Sequence, residues 1–392
     1  MLNCVWNKVV RKSMLAGWLV FLGWLVPHEA LALNLTVSDV SGPNFSFHGL
    51  KLSGDGYDKT GPLHLSIAQL SILGQHLYHV QLDCTSFQWT SQKLRCQGEL
   101  GIALRRYRLR LFYRFDSHML QLTLKRPHQQ FRLKAKLTAD WQIKAKWNGV
   151  QLDMLDHLLL LAHHVKITSG RFSGVALVSG KHKQIDQMRV QMAIHNMAFS
   201  DASGNHAADK EQFHVLFAAS RRSQALDWAA TVRSEQGELY FQPVYLNQAG
   251  DSFKVKGTYS YGRWKLAKAS LFVPGAGKLS ASGEIDFFPF KIHQVNLVSS
   301  KISLARAWPV FVAPFVAPDS VLSDSVASGY LGFMAKIHEG QPVQLHVQLF
   351  NVSLVNHGKS WAIRDVSADF PWDQHRARTA SVHFGLSHWR KI

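Results

Sequence analysis

The residues of this chain best suited to metal chemistry are its histidines, of which there are 21 among 392 residues. Three of them, His157, His163 and His164, lie in one apolar stretch with helical spacing. A zinc hydrolase helix carries a glutamate beside its two histidine ligands, because that glutamate acts as the general base. No glutamate occurs in this stretch. We therefore interpret these histidines as surface or packing residues, and we expect no metal and no cofactor.

The sequence also lacks the common motifs for nucleophilic catalysis and for phosphate binding. There is no Gly-x-Ser-x-Gly turn to expose a catalytic serine, and no glycine-rich P-loop to cradle phosphates. The glycine-rich stretch 54–61 contains Asp55 and Asp58, whose carboxylates could bind calcium. Turn formation is the commoner role of such residues. We predict that the protein is not an enzyme.

Cys84 and Cys96 are the two cysteines beyond the amino-terminal segment, and they are 12 residues apart. Alternating sequence on both sides of residues 90–93 predicts a β-hairpin in which the two cysteines lie directly opposite each other. The alternative is a metal-binding pair, but no second pair of ligands accompanies it. We expect a disulfide, which would stabilise the fold by roughly 3 kcal/mol through loop entropy and which export permits.

Residues 1–32 have the composition of an export signal. Three basic residues precede the apolar stretch 14–26, and the segment 30–32 (Ala-Leu-Ala) matches a small-residue cleavage site. The alternative is an uncleaved anchor, because residues 13–35 are long enough to span a bilayer. Both interpretations place the remaining chain outside the cytoplasm.

The chain is strongly basic, with a formal net charge of +18. Residues 1–32 contribute three basic residues and one acid, so the remainder carries about +16. This charge favours anionic partners such as phospholipid headgroups, lipopolysaccharide or nucleic acid. Export removes nucleic acid as the usual partner, so we expect none.

Residues 101–147 show the clearest strand pattern, with apolar and polar residues alternating in four successive runs. The pattern predicts an antiparallel meander with one apolar and one basic face. Residues 101–150 contain 12 Lys or Arg against two Asp. The apolar face is either the closed core of a sandwich or an open trough for acyl chains. The basic face is either a solvated surface or a contact for anionic headgroups.

Both faces supply candidate binding residues. The candidate lipid-tail groove consists of Tyr107, Leu109, Leu111, Tyr113, Leu122, Leu133, Ile143 and Trp147. The candidate contacts for anionic headgroups are Arg106, Arg108, Arg110, Arg132, Lys134 and Lys144.

An apolar segment followed by Ser-Gly and alternating strands occurs twice, with an offset of 155 residues. Gly174 precedes Asn196 by 22 residues, and Gly329 precedes Asn351 by the same number. The apolar segments predict short helices near 151–163 and 303–318, the second interrupted by prolines. We divide the chain into an amino-terminal signal or anchor (1–32), a β region (33–150), a first repeat module (151–305) and a second, apparently incomplete module (306–392).

The sequence resembles the AsmA-like, repeating β-groove proteins of the bacterial envelope, of the YdbH and TamB kind. The resemblance comprises the apolar segment at 14–26 followed by strands, the apolar helix and Ser-Gly patterns at 152–178 and 307–333, and the Asn-hydrophobic-x-hydrophobic turns at 196–199 and 351–354. It implies a twisted antiparallel sheet curled into a groove with an apolar lining. It also implies a role in lipid transport between the inner and outer membranes, with no catalytic residues.

We therefore predict a mainly β fold, an elongated and twisted antiparallel sheet forming a groove. The expected protein is periplasmic, either soluble after signal cleavage or anchored in the inner membrane. Its expected function is to bind or help transfer phospholipid or another anionic lipid at a membrane surface, with an envelope protein partner of unknown identity. The alternative is a structural or adhesive exported β-sandwich protein without a lipid ligand.

Overall fold

The computed structural model describes residues 33–389 except 43–44, 55–59, 73–74, 103–104, 153–164, 183, 242–243, 247–248, 261–262, 288–289, 318 and 357–360. Three of the predicted features lie outside the described residues. They are the amino-terminal signal or anchor, residues 55–59 of the glycine-rich stretch with Asp55 and Asp58, and the helix near 151–163 from residue 153 onward, with its three histidines.

The described residues form 24 β-strands and one short α-helix. The strands are β1 (Leu33–Gly42), β2 (Phe45–Gly54), β3 (Thr60–Ile72), β4 (Gln75–Trp89), β5 (Lys93–Ile102), β6 (Arg105–Arg114), β7 (Met119–Arg126), β8 (Gln129–Lys136), β9 (Asp140–Gln151), β10 (Val165–Lys181), β11 (Gln184–Asp201), β12 (His206–Arg222), β13 (Ala225–Phe241), β14 (Val244–Leu246), β15 (Ser252–Ser260), β16 (Arg263–Val273), β17 (Gly277–Phe287), β18 (Phe290–Ser299), β19 (Ile302–Ser303), β20 (Ser325–His338), β21 (Gln341–Asn356), β22 (Trp361–Asp373), β23 (Ser381–His383) and β24 (Leu386–Trp389). The helix is α1 (Leu304–Phe311), and a 3-10 turn follows it at Ala313–Phe315. The prediction of a mainly β, antiparallel fold with a short helix near 303–318 is confirmed.

The chain divides into two compact units. The first contains the described residues up to Leu152 together with Phe172–Gln191, and the second contains residues 165–171 and the described residues from Met192 onward.

The first unit is a meander in which each strand from β1 to β9 pairs antiparallel with the next. Successive side chains of a strand point to opposite faces of the sheet, so the alternating sequence places apolar residues on one face and polar residues on the other. Buried residues of neighbouring strands pack together on one face, in clusters around Leu50, Cys84 and Leu120. The meander predicted over 101–147 is therefore present as β6 to β9.

The second unit continues the antiparallel order, from β12 through β13 and then β15, β16, β17 and β18. Strand β18 pairs with β20, and β21 and β22 follow. Helix α1 lies in the connection before β20, where its Ala307 and Val310 are buried. Ala307 packs with Val273 and Ala276 at one end of the strands. Pro309 and Pro314 account for the shortness of the helical segments, because proline lacks the N–H that a longer helix requires.

The two Asn-hydrophobic-x-hydrophobic segments predicted to be turns lie inside strands instead. Asn196 and Asn351 have left-handed backbones, with φ values of 51° and 47°, in the middle of β11 and β21. Opposite Asn351, a Cβ on Gly329 would lie 2.4 Å from the Asn351 carbonyl oxygen, so only glycine fits there. Asparagine tolerates the left-handed conformation in a bulge as well as in a turn, so the two have the same sequence signal.

The two copies of the repeat also differ in register. The Ser169 hydroxyl donates a 3.1 Å hydrogen bond to the Asn196 carbonyl oxygen. The 155-residue offset between the copies makes Ser173 the counterpart of Ser328. The Ser173 hydroxyl instead donates a hydrogen bond to Asn148 Oδ1. The 22-residue spacing common to both copies therefore does not place the same residues beside each asparagine.

Candidate functional site

Cys84 and Cys96 lie at disulfide distance, with their Cα atoms 5.4 Å apart. Both are buried and pack against Leu109. The hairpin differs from the predicted one in register, because Cys84 lies opposite Gly98 and Cys96 lies opposite Phe87. The position of the turn produces this shift, because Trp89 lies opposite Leu94 and the turn is therefore centred between residues 91 and 92, whereas directly opposite cysteines require a centre at residue 90. A bulge between Cys84 and Ser86 offsets it by only one residue. The cysteines are therefore diagonal neighbours, and the prediction that they lie directly opposite each other is wrong.

The eight residues predicted to line a groove share one face of β6 to β9. Leu111, Leu122 and Leu133 occupy one row across three strands. Tyr107, Leu109 and Tyr113 are only 5% to 8% exposed, whereas Leu111, Leu122, Leu133, Ile143 and Trp147 are half-buried. Their contacts are with other apolar side chains of the same unit. This face is largely filled by the protein's own side chains.

The six predicted headgroup residues share the opposite face and are all exposed. Acidic side chains occur at its margin, where Glu99 lies 3.8 Å from Arg106 and Asp116 lies 2.6 Å from Arg114. Hydrogen bonds from Arg114 and Ser117 hold the pKa of Asp116 at about 2. The centre of the face is therefore basic and its margin is partly neutralised.

The second unit has an apolar face that the sequence interpretation did not single out. Strand register aligns its members in rows that cross the sheet. The longest row consists of Ala230, Val255, Ala269, Ala281, Leu297, Ala335, Leu345 and Trp372, one residue from each of eight strands. Beside it run the row Val232, Phe253, Leu271 and Leu279 and the row Phe333, Val347 and Phe370. We call these three rows together the apolar face of the second unit.

Large side chains of this apolar face are accessible to solvent. Leu345, Phe370, Phe253 and Trp372 are between 39% and 46% exposed. The reverse side of the same strands carries mostly polar residues, with Lys254, Lys256, Lys268, Lys278, Ser280, Asn296, Lys336, Gln344, His346 and Asp369. It also carries the exposed Phe272, Val298 and Met334, which do not form a row across the sheet as long as those of the apolar face. Water is thus in contact with a continuous apolar surface, an arrangement that marks interaction sites in folded proteins.

The two ends of the apolar face differ. At one end, α1 packs its Ala307 against Val273 beside Leu271. At the other end, Trp264 contacts Trp228 and Tyr259, with ring centroids 5.2 and 4.8 Å apart. The face is therefore bounded by a helix at one end and by an aromatic cluster at the other.

The sequence does contain a signal for this face. Phe253 and Val255 alternate with Lys254 and Lys256, as in the basic meander. The alternation extends over fewer residues in each strand, and small residues such as Ala269 and Ala281 occupy positions where Leu or Ile would have marked a row. The register of the strands is what joins these short segments into one surface.

A buried carboxyl group lies elsewhere in the second unit. Glu211 is 1% exposed, in an irregular part of β12 opposite Gly237. The Ser234 hydroxyl donates a 2.6 Å hydrogen bond to its Oε1. Burial raises the pKa of Glu211, and the nearby Asp251 adds to this effect while the hydrogen bond from Ser234 opposes it. The burial and the hydrogen bond from Ser234 indicate a structural role for this carboxyl group.

Two kinds of feature are not found in the part of the chain that the structure describes. No group of three or more His, Cys, Asp or Glu side chains there could hold a metal ion. No helix there combines the length and apolar character needed to cross a bilayer.

Comparison with protein-family models, with curated protein sequences and with solved structures finds no match to this chain. Inference about its function therefore depends on the two strand faces described above.

Proposed function

We propose that this protein is a non-enzymatic lipid-binding protein of the bacterial envelope, which holds acyl chains on the apolar face of its second unit. The observation that carries the proposal is the solvent exposure of Phe253, Leu345, Phe370 and Trp372 on one face of in-register strands. Acyl chains would cover this surface and remove it from water, with a gain of about 0.8 kcal/mol for each buried methylene group.

The dimensions of the apolar face suit acyl chains. Its longest row crosses eight strands, and seven spacings of about 4.8 Å give a contour of roughly 34 Å. One acyl chain spans half of a bilayer core, about 15 Å. The row can therefore accommodate two chains end to end, which supports binding of a phospholipid with spread chains or of two lipids.

The location proposed for this activity is the periplasm, because the amino-terminal sequence has the features of an export signal or anchor. Transfer of the bound lipid between membranes is part of the proposal and derives from the resemblance to the repeating β-groove proteins. The alternative, a structural or adhesive protein without ligand, requires apolar faces that are closed. The apolar face of β6 to β9, which is largely filled by the protein's own side chains, agrees with that alternative, whereas the exposed face of the second unit favours a ligand.

Mass spectrometry of organic extracts tests the proposal. The full chain is expressed with export into a bacterial periplasm and purified without detergent. We expect phospholipid to co-purify with it at about one molecule per chain or more, and to be absent from a mock purification. A folded protein whose extract contains no more lipid than the mock sample would contradict the proposal and favour the structural alternative.

A further inference from the structure

The basic face of the first unit, formed by alternate residues of β6 to β9, has a charge arrangement that folding alone does not favour. Ten exposed basic residues lie on it: Arg106, Arg108, Arg110, Arg114, Lys125, Arg132, Lys134, Lys136, Lys144 and Lys146. Lys134 lies directly opposite Lys144, Arg132 opposite Lys146, and Arg108 opposite Lys125, although Arg108 also has Glu99 of β5 opposite it. Like charges directly opposite each other destabilise a sheet.

The basic residues at the centre of this face have no acidic partner within the described part of the protein. No described carboxylate lies within ion-pair distance of Arg110, Arg132, Lys134, Lys144 or Lys146. Asp140, the acid nearest in sequence, lies 3.8 Å from Lys181 instead. Three repulsive cross-strand pairs and an unneutralised centre point to an anionic partner outside the chain.

We propose that this basic face docks the protein onto an anionic phospholipid bilayer. The proposal is independent of acyl-chain binding by the second unit, because it concerns other strands and another kind of contact. Electrostatic complementarity between a basic surface and an anionic leaflet is sufficient to recruit a protein.

The dimensions of the basic face distinguish a bilayer from a small anion. Neighbouring strands lie about 4.8 Å apart and alternate residues of one strand about 6.8 Å apart, so the ten charges cover roughly 14 by 27 Å. A single phosphate group is bound by donors that converge on one point. Here the side chains extend in parallel rows from one sheet surface. Such a surface matches many headgroups lying side by side.

Sedimentation with vesicles tests this proposal. The purified full chain is mixed with vesicles of phosphatidylglycerol and phosphatidylcholine, or of phosphatidylcholine alone. We expect binding to the anionic vesicles at about 0.1 M salt and its loss at about 1 M, where the Debye length falls to roughly 3 Å. The difference between the two vesicle types separates electrostatic docking from insertion of apolar segments.

Two charge-matched variants make the test specific. The first replaces Arg132, Lys134, Lys144 and Lys146 with glutamine, and the control replaces the exposed Lys166, Lys278, Lys336 and Arg364 of the second unit with glutamine. We expect the first variant to bind anionic vesicles at least roughly tenfold more weakly, whereas the control retains most of the binding. Both variants should fold, as judged by thermal unfolding, because the replaced side chains are exposed.

Three results would overturn the proposal. They are equal binding to the two vesicle types, equal loss of binding in the two variants, and tighter binding of a single-stranded DNA oligonucleotide than of anionic vesicles at the same salt. The lipid content of the purified protein tests acyl-chain binding separately from membrane docking. The first variant should retain as much extractable phospholipid as the wild type even where its docking is lost.

Discussion

Phe253 and Phe272 lie on the neighbouring strands β15 and β16 and project from opposite faces of the sheet. The register pairs Phe253 with Leu271 and Ser252 with Phe272, which settles the two orientations. The two phenylalanines are almost equally exposed, at 42% and 44%. They therefore form a matched pair of substitution sites, one on the apolar face of the second unit and one on its polar reverse side.

The first prediction uses this pair. We expect Phe253→Asp to lower the phospholipid recovered from the purified protein by at least about twofold, because it places a charge where an acyl chain would lie. Phe272→Asp should leave lipid recovery unchanged. Quantitative mass spectrometry of both variants measures this difference. Equal recoveries would place the lipid elsewhere on the protein.

The second prediction concerns the disulfide of the first unit. Replacing Cys84 and Cys96 together by alanine should lower the free energy of unfolding by roughly 3 kcal/mol, because the closed loop no longer restricts the unfolded chain. Chemical denaturation monitored by tryptophan fluorescence measures the loss. A reductant should destabilise the wild type similarly and leave the double variant unaffected. Insensitivity of the wild type to reductant would argue against the bond.

The third prediction is a pH dependence that originates at Glu211. The pKa of this carboxyl is raised in the folded state, so its contribution to stability is present in acid and is lost as the pH rises through the folded-state pKa. Glu211→Gln should therefore have a higher melting temperature than the wild type at pH 7 and a smaller advantage at pH 4. Glu238→Gln, an exposed neighbour, provides the control. Parallel melting curves for Glu211→Gln and wild type across this pH range would refute the assignment.

The fourth prediction concerns the close approach of β12 and β13. A Cβ on Gly237 would lie 2.4 Å from Glu211 Cα, and Gly237 also has a φ of +112°. Gly237→Ala should lower the free energy of unfolding by roughly 3 kcal/mol or more, because β12 and β13 must move apart to admit the added methyl group. Gly204 has a φ of +71°, but no atom lies within 4 Å of an added Cβ. Gly204→Ala should therefore lower the free energy of unfolding by only about 1 kcal/mol. Denaturant unfolding of the two variants compares these costs, and similar values would show that the close approach is unimportant.

The fifth prediction separates stability from membrane docking. Lys144→Glu places a carboxylate directly opposite Lys134, so the free energy of unfolding should rise by about 0.5 kcal/mol. The same change should weaken binding to anionic vesicles, because it lowers the net positive charge of the docking face by two. Lys336→Glu, whose cross-strand neighbours Asn296 and Gln344 are uncharged, should do neither. A lower free energy of unfolding for Lys144→Glu would show that Lys134 and Lys144 do not repel each other in the folded protein.

Much of the local structure could be predicted from the chain itself. The alternation in 105–147 yields the strands β6 to β9 and assigns Leu111 and Lys134 to opposite faces, because a strand directs successive side chains to opposite sides. The prolines of 303–318 correctly predict interrupted helical segments. The sequence around Asn196 and Asn351 predicts turns, whereas both residues lie inside strands, because a left-handed asparagine has the same local chemistry in a turn as in a bulge.

Register and burial depend on the tertiary structure. The turn that pairs Trp89 with Leu94 displaces Cys84 from the position opposite Cys96, and the alternating pattern of the two strands does not encode that register. Leu109 and Phe253 both alternate with basic residues, yet Leu109 is buried and Phe253 is exposed. The sequence determines which residues share a face of a strand. Whether that face is covered depends on side chains brought from strands distant in the chain, and those contacts exist only after the sheet has formed.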